Sequence, residues 1–260
     1  MEKKDILDQT KGVAVEVYKD LLHPAVEPIG TILSYLPRTI RLAFGRWEKW
    51  LINGEESLKL TSEAIKEKVK KIPNEKIVEP EPNIVIPAIQ QLCYCEDSET
   101  LRKMYANLIV SSMNVDIKKD AHPSFVEIIK QLNSDEAKLL SLLPNSSCRA
   151  FPLVDVFDRE VMILTNYTDL GTDILEHHDN ICSYIDNLLR LNLIEIPTGY
   201  FLSPERYKGL EESEELHGLC LRFCQIHKHT HYTYNHKVLR LTNFGIIFKE
   251  VCCEQSVIIG

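Results

Sequence analysis

The sequence predicts a mainly α fold, helical along most of its length, with a small α/β part towards the C-terminus. Three observations predict it. Apolar residues recur at three- and four-residue steps in segment after segment. A serine, asparagine, aspartate or proline stands at the start of most of those segments. β-prone residues gather in only a few places, chiefly Cys148 to Thr165, Leu191 to Leu202 and Lys237 to Thr242.

Asp5 to Leu22 reads as an amphipathic helix through Ile6, Val13, Val17 and Leu21. Pro24 and Pro28 break the pattern. Pro37 fits the first turn of a helix to Ile52, and Asn53-Gly54 supplies its stop. Glu55 to Ile72 reads as a charged helix with a solvated end, and Glu79-Pro80-Glu81-Pro82 as a linker. The expected organisation is an N-terminal helical module over 1–75 and a helical domain over 80–260.

Asn83 to Cys93 carries the run Ile84, Val85, Ile86, Ala88, Ile89 and Leu92, and is expected to be helical. A helix capped near Ser98 follows to about Met113, with Leu101, Met104, Tyr105, Leu108 and Ile109 on one face. Pro123 to Leu132 buries Phe125, Ile128 and Ile129, and Asn133 or Ser134 caps Asp135 to Leu143. Short strands are expected within Cys148 to Thr165, although Asp155, Asp158 and Arg159 spoil the alternation.

Asp179 or Asn180 caps a helix with the stripe Ile181, Ile185, Leu188 and Leu189. Leu191 to Ile196 continues as a strand into the turn Pro197-Thr198-Gly199, with Tyr200-Phe201-Leu202 behind. Helix, strand and turn in that order resemble the recognition helix and wing of a winged helix. A helix from Ser203-Pro204-Glu205 to Cys224, broken at Gly209 or Gly218, a returning strand from Lys237 to Thr242 and a closing helix from Asn243 to Cys252 complete the chain.

Composition narrows the function classes. The 260 residues hold 30 basic and 38 acidic side chains, a formal charge of −8, which argues against a protein built to neutralise phosphates. The expected recognition helix offers Arg190 as its only strong base, so nucleic-acid binding is an alternative and not the leading reading. No secretory leader or transmembrane span is expected, since Met1 to Thr10 is charged and His23, Pro24, Glu27 and Pro28 interrupt Leu21 to Leu36. Eight cysteines without an export signal point to reduced thiols in a cytoplasmic protein.

Each constellation has a plain alternative. Cys220 and Cys224 sit four apart, with His227, His229 and His231 beyond, and imidazole with thiolate suits zinc. Such a cysteine spacing is equally a helix face, so core thiols beside exposed histidines are preferred and no cofactor is expected. Cys148 or Cys182 with His177 or His178 would make a nucleophile and base, but nothing in the sequence orients them. Glu211, Glu212, Glu214 and Glu215 read as a wet helix face, and glycine-rich phosphate loops and nucleophile elbows are missing. The N-terminal helices combine Arg38 and Arg41 with Trp47 and Trp50, a set that closes a helical core or docks a partner or a second copy. Peripheral membrane contact is the weakest of these readings.

Four stretches together resemble the abortive-infection alpha family of bacterial proteins. They are Ser98 to Ile109 with Ser112-Met113, His122 to Ala137, Leu188 to Glu195, and Leu241 to Phe248 with Cys252. The resemblance implies a cytoplasmic bacterial or prophage protein of phage defence, in which infected cells abort phage production. It implies no catalytic residues. The positions that carry it, Leu101, Met104, Tyr105, Pro123, Phe125, Ile129, Leu241, Thr242, Phe244, Gly245 and Phe248, fall where helices need core or cap residues. Phage defence through a protein-binding or sensing surface is therefore the leading expectation, ahead of a nucleic-acid-binding regulator and a cryptic toxic enzyme.

Overall fold

The computed structural model describes residues 61, 64–65, 67–92, 94–95, 97–224 and 232–253. The expected module over 1–75, with Arg38, Arg41, Trp47 and Trp50, therefore lies almost wholly outside the described residues, as do His227, His229 and His231. The described chain is mainly helical with one small antiparallel sheet, and it divides into two units. The first takes in residues up to Gln131 and from Val251 on, the second Leu132–Glu250.

In the first unit, positions 61, 64–65 and 67–69 are helical, with Ile65 and Val69 buried. Helix α1 (Pro82–Leu92) buries Ile84, Val85, Ala88, Ile89 and Leu92. Helix α2 (Glu99–Ser112) begins where Ser98 Oγ accepts from Leu101 N, as its cap spacing predicts. Helix α3 (Ser124–Lys130) starts after Pro123, and the ring Nδ1 of His122 accepts from Ser124 N at 3.1 Å. The three helices pack on one another around Met104, Tyr105, Leu108, Phe125 and Ile129. The Pro-rich stretch is tied down on either side: Val78 N donates to Met113 O at 2.8 Å, and Lys118 Nζ to Glu79 O.

The second unit opens with α4 (Ser134–Leu142), whose Asn133 and Glu136 form a complete capping box. Strands β1 (Phe151–Asp158), β2 (Val161–Tyr167), β3 (Ile194–Glu195) and β4 (Tyr232–Leu241) stand in the order β2-β1-β4-β3. Strand β1 is central, and Leu153, Val154, Asp155 and Val156 are buried in succession. Cover on both faces explains why the sequence there does not alternate. Helix α5 (Ile181–Arg190) and helix α7 (Glu214–Cys224) pack on β2, and α6 (Glu205–Glu211) packs on β1. Helix α8 (Asn243–Cys252) closes the fold.

Several expectations need correcting. The break in the 203–224 helix falls at Glu212-Ser213, not at Gly209 or Gly218, because Ser213 Oγ accepts from Leu216 N and caps α7. The returning strand begins earlier than Lys237, at Tyr232. The wing is also not a local hairpin: Tyr200-Phe201-Leu202 form no strand, and β3 pairs with distant β4 through Ile194↔Leu241 and Glu195↔Arg240.

Candidate functional site

Most of the positions that carry the resemblance are buried. In the first unit, Met104, Tyr105, Phe125 and Ile129 are buried, and the Tyr105 hydroxyl donates to Val126 O. Leu101 and Pro123 are half-buried. Asn107 and Ser111, one turn apart on α2, donate to Cys252 O (2.9 Å) and Val251 O (3.0 Å). They satisfy carbonyls that a helix end leaves orphaned.

In the second unit two of the motifs meet. Helix α5 ends in a Schellman turn: Leu193 N donates to Leu188 O and Asn192 N to Leu189 O, with Asn192 left-handed at φ 56°. The turn's free carbonyls then receive Thr242, whose Oγ1 donates to Asn192 O (2.7 Å) and whose N donates to Leu193 O (3.1 Å). The same Oγ1 accepts from Gly245 N at 2.8 Å, so Thr242 caps α8. A Cβ on Gly245 would stand 1.9 Å from Leu193 O, so only glycine fits there. Leu241 and Phe248 are buried and Phe244 half-buried beside this joint. Lys249, also buried, donates to Ser141 O (2.8 Å) and Leu143 O at the end of α4, a cation placed on helix carbonyls.

A charged network spans the sheet. Asp155, buried on β1, receives Lys237 Nζ (2.6 Å), Asn235 Nδ2 (3.1 Å) and Asn166 N (3.0 Å). Lys237 also donates to Asn166 Oδ1 (2.5 Å), and Asn166 Nδ2 donates to Asp186 of α5. The network holds the irregular stretch of β2, where Asn166 takes φ 59°. Lys237 is therefore committed to an internal ion pair. On α5 the exposed side chains include Ser183, Asp186 and Arg190, and Arg190 is bonded to Asn187 Oδ1. One acid against one base is a poor surface for phosphates.

Glu211, expected on a wet face with its acidic neighbours, is half-buried and meets His236 Nε2 at 2.5 Å. The His236 ring stacks on Tyr207 at 4.1 Å between centroids. Sequence reasoning missed this pair, because its partners lie on α6 and β4 and no local spacing joins them. A histidine with a carboxylate is half of a proton-transfer triad. Among the described residues, however, no serine, threonine or cysteine hydrogen-bonds to His236.

Burial disfavours the thiolate form at three of the described cysteines. Burial pushes Cys95 up to about 11 and Cys182 up to about 12, and raises the buried Cys252 well above its ordinary value. Among the described residues no hydrogen bond joins Cys148 or Cys182 to His177 or His178; His178 lies instead against Thr172, Tyr167 and Glu215. Cys220 is buried, and the side chain of Cys224 is not among those described. Among the described residues no group of three His, Cys, Asp or Glu could hold a metal ion, and no helix is long and apolar enough to cross a membrane.

The loop after β3 is shaped differently. Gly199 turns the chain with φ +73°, which suits glycine. Tyr200 and Phe201 follow, 52% and 64% exposed. On one side Arg240 stands over the Tyr200 ring at 6.0 Å while its Nε donates to Glu195 (2.7 Å). On the other, Leu202 N donates to the buried Tyr207 hydroxyl (3.1 Å). Two exposed aromatics thus ride on a loop anchored at both ends.

No curated protein and no solved structure matches this chain. The family model described as abortive infection alpha matches residues 53–252. That span contains the α5 turn, the Thr242 cap and the Gly245 contact, and the chain belongs to the abortive infection alpha family.

Proposed function

We propose that this protein serves phage defence by abortive infection in the bacterial cytoplasm, through a surface that binds a protein and not through a reaction of its own. Family membership supports the defence role. The observation that carries the binding role is the anchored loop with Tyr200 and Phe201 exposed. Rigid aromatic side chains lose little entropy on docking and dominate protein interfaces. Arg38, Arg41, Trp47 and Trp50, which lie outside the described residues, are proposed from the sequence as a separate interaction surface.

A winged-helix reading of α5 and β3 would lead to nucleic acid as the ligand. The mixed charge of α5 and the engagement of Lys237 with Asp155 favour a protein instead. The test is phage yield per infected cell with the full chain expressed, against the double variant Tyr200→Ser, Phe201→Asp. Wild type is expected to lower the yield, and the variant to restore it while melting at the wild-type temperature. A variant that protects as well as wild type removes the loop from the working surface. A wild type that leaves the yield unchanged removes the defence role.

A further inference from the structure

The loop after β3 is held by very little of its own main chain. Pro197 and Pro204, at its two ends, have no N–H to give. Among the described residues, Leu202 N is the only backbone N–H between positions 198 and 203 that donates a hydrogen bond, and its acceptor is the Tyr207 hydroxyl at 3.1 Å. On the other side a side chain alone meets the loop, Arg240 at 6.0 Å from the Tyr200 ring centroid. A cation over an exposed ring is a weak tie, and the hydrogen bonds of Arg240 go to Glu195 and Ser147 O.

Tyr207, by contrast, is fixed against the sheet. It is buried on α6, and its ring lies flat on that of His236, 4.1 Å between centroids and 5° between planes. His236 belongs to β4 and meets Glu211 Oε1 at 2.5 Å, while Glu211 O accepts from the Tyr234 hydroxyl at 3.2 Å. A hydroxyl carried by a buried, stacked ring does not follow a moving loop, so the loop backbone has to come to it.

We infer that Tyr207 is the positioning residue of the aromatic loop: its hydroxyl presets the backbone at Leu202, so that Tyr200 and Phe201 already stand in the form a partner meets. The inference rests on the proposal that this loop is the working surface. Aromatic side chains placed in advance dock without the loss of backbone entropy that ordering a free loop requires. A loop released from Tyr207 keeps both aromatics and binds more weakly.

Tyr207→Phe tests it, since the change removes the hydroxyl and keeps the ring. Tyr105→Phe is the matched control in the first unit, where the buried Tyr105 hydroxyl donates to Val126 O. Amide hydrogen exchange and phage yield per infected cell are read for the full chain. Tyr207→Phe is expected to speed exchange at Leu202 by about tenfold and to raise the phage yield by about tenfold over wild type. The amides of β1 are expected to exchange as in wild type. Tyr105→Phe is expected to leave both Leu202 exchange and phage yield unchanged, whereas a merely structural loss would move the two variants alike. Unchanged exchange at Leu202 in Tyr207→Phe overturns the inference. So does faster exchange throughout β1, which would make Tyr207 a support of the whole unit, or an unchanged phage yield once Leu202 is released. In that last case Tyr200→Ser with Phe201→Asp separates the two failures. A yield restored by that double variant keeps the loop as the surface and rejects only the role of Tyr207, and a yield still suppressed rejects the loop itself.

Discussion

At the scale of single residues, three positions show how backbone contact and charge hold the fold. Gly245 is required by a backbone, not by its own torsions, since a Cβ would meet the Leu193 carbonyl carbon at 2.8 Å as well as its oxygen. Gly245→Ala is expected to lower stability by about 3 kcal/mol or to prevent folding, read by chemical denaturation, whereas Gly209→Ala, which meets open space within a helix, is expected to stabilise by about 0.5–1 kcal/mol. Asp135 illustrates how charge is held. Burial works against its ionised form and is outweighed by Lys138 and by the N–H groups of Glu176 and His177, so its carboxyl lies below its ordinary value. A lowered folded value means that its stabilisation is present above about pH 4 and is lost as pH falls through the folded value. Asp135→Asn is therefore expected to cost about 1–3 kcal/mol at neutral pH and progressively less below pH 4, followed by urea titrations across pH. Glu136 next to it has the opposite sign: burial raises its carboxyl, so its contribution favours folding at acid pH and fades as pH rises through the raised value. The sequence made Gly245 legible as a close contact at a helix start, whereas Thr242 is expected there as the end of a strand and its cap on α8 shows only in the structure. Asp155, Lys237, Lys249 and the Glu211–His236 pair were not legible, because their partners are set by strand pairing and by a helix end far along the chain.

At the scale of elements, legibility follows the caps. The helices α1, α2, α4, α5 and α8 fall within a residue or two of the expected bounds, since Ser98 and Asn133 mark starts that their side chains indeed bond. The α6–α7 break was misplaced for the same reason in reverse: glycine seemed the breaker, while Ser213 held the cap. Strand β3 was overextended because Leu191 and Leu193 belong to the Schellman turn of α5, where apolar residues close a helix end instead of lining a sheet. The elements also decide thiol chemistry. Cys95, Cys220, Cys252 and Cys253 are buried, while Cys148 sits exposed before β1. Alkylation of the native protein, mapped by mass spectrometry, is expected to modify Cys148 first among the described cysteines and to reach the buried ones only after denaturant is added. Equal rates at Cys148 and Cys220 would show that α7 does not bury its cysteine.

At the scale of the whole molecule, the match over residues 53–252 identifies family membership without describing an act. Binding surfaces have no fixed spacing to be read in one sequence, which is why Tyr200 and Phe201 were seen only as the residues behind a turn. The proposed function puts defence on that surface and makes the Glu211–His236 pair, for all its resemblance to part of a triad, a strut between α6 and β4. Phage yield per infected cell, measured side by side for His236→Gln and for Tyr200→Ser with Phe201→Asp, tests this most directly. His236→Gln is expected to suppress the yield as wild type does, while the loop variant is expected not to. Lost protection in His236→Gln at an unchanged melting temperature, with the loop variant still protective, would contradict it and point to a reaction centred on that histidine.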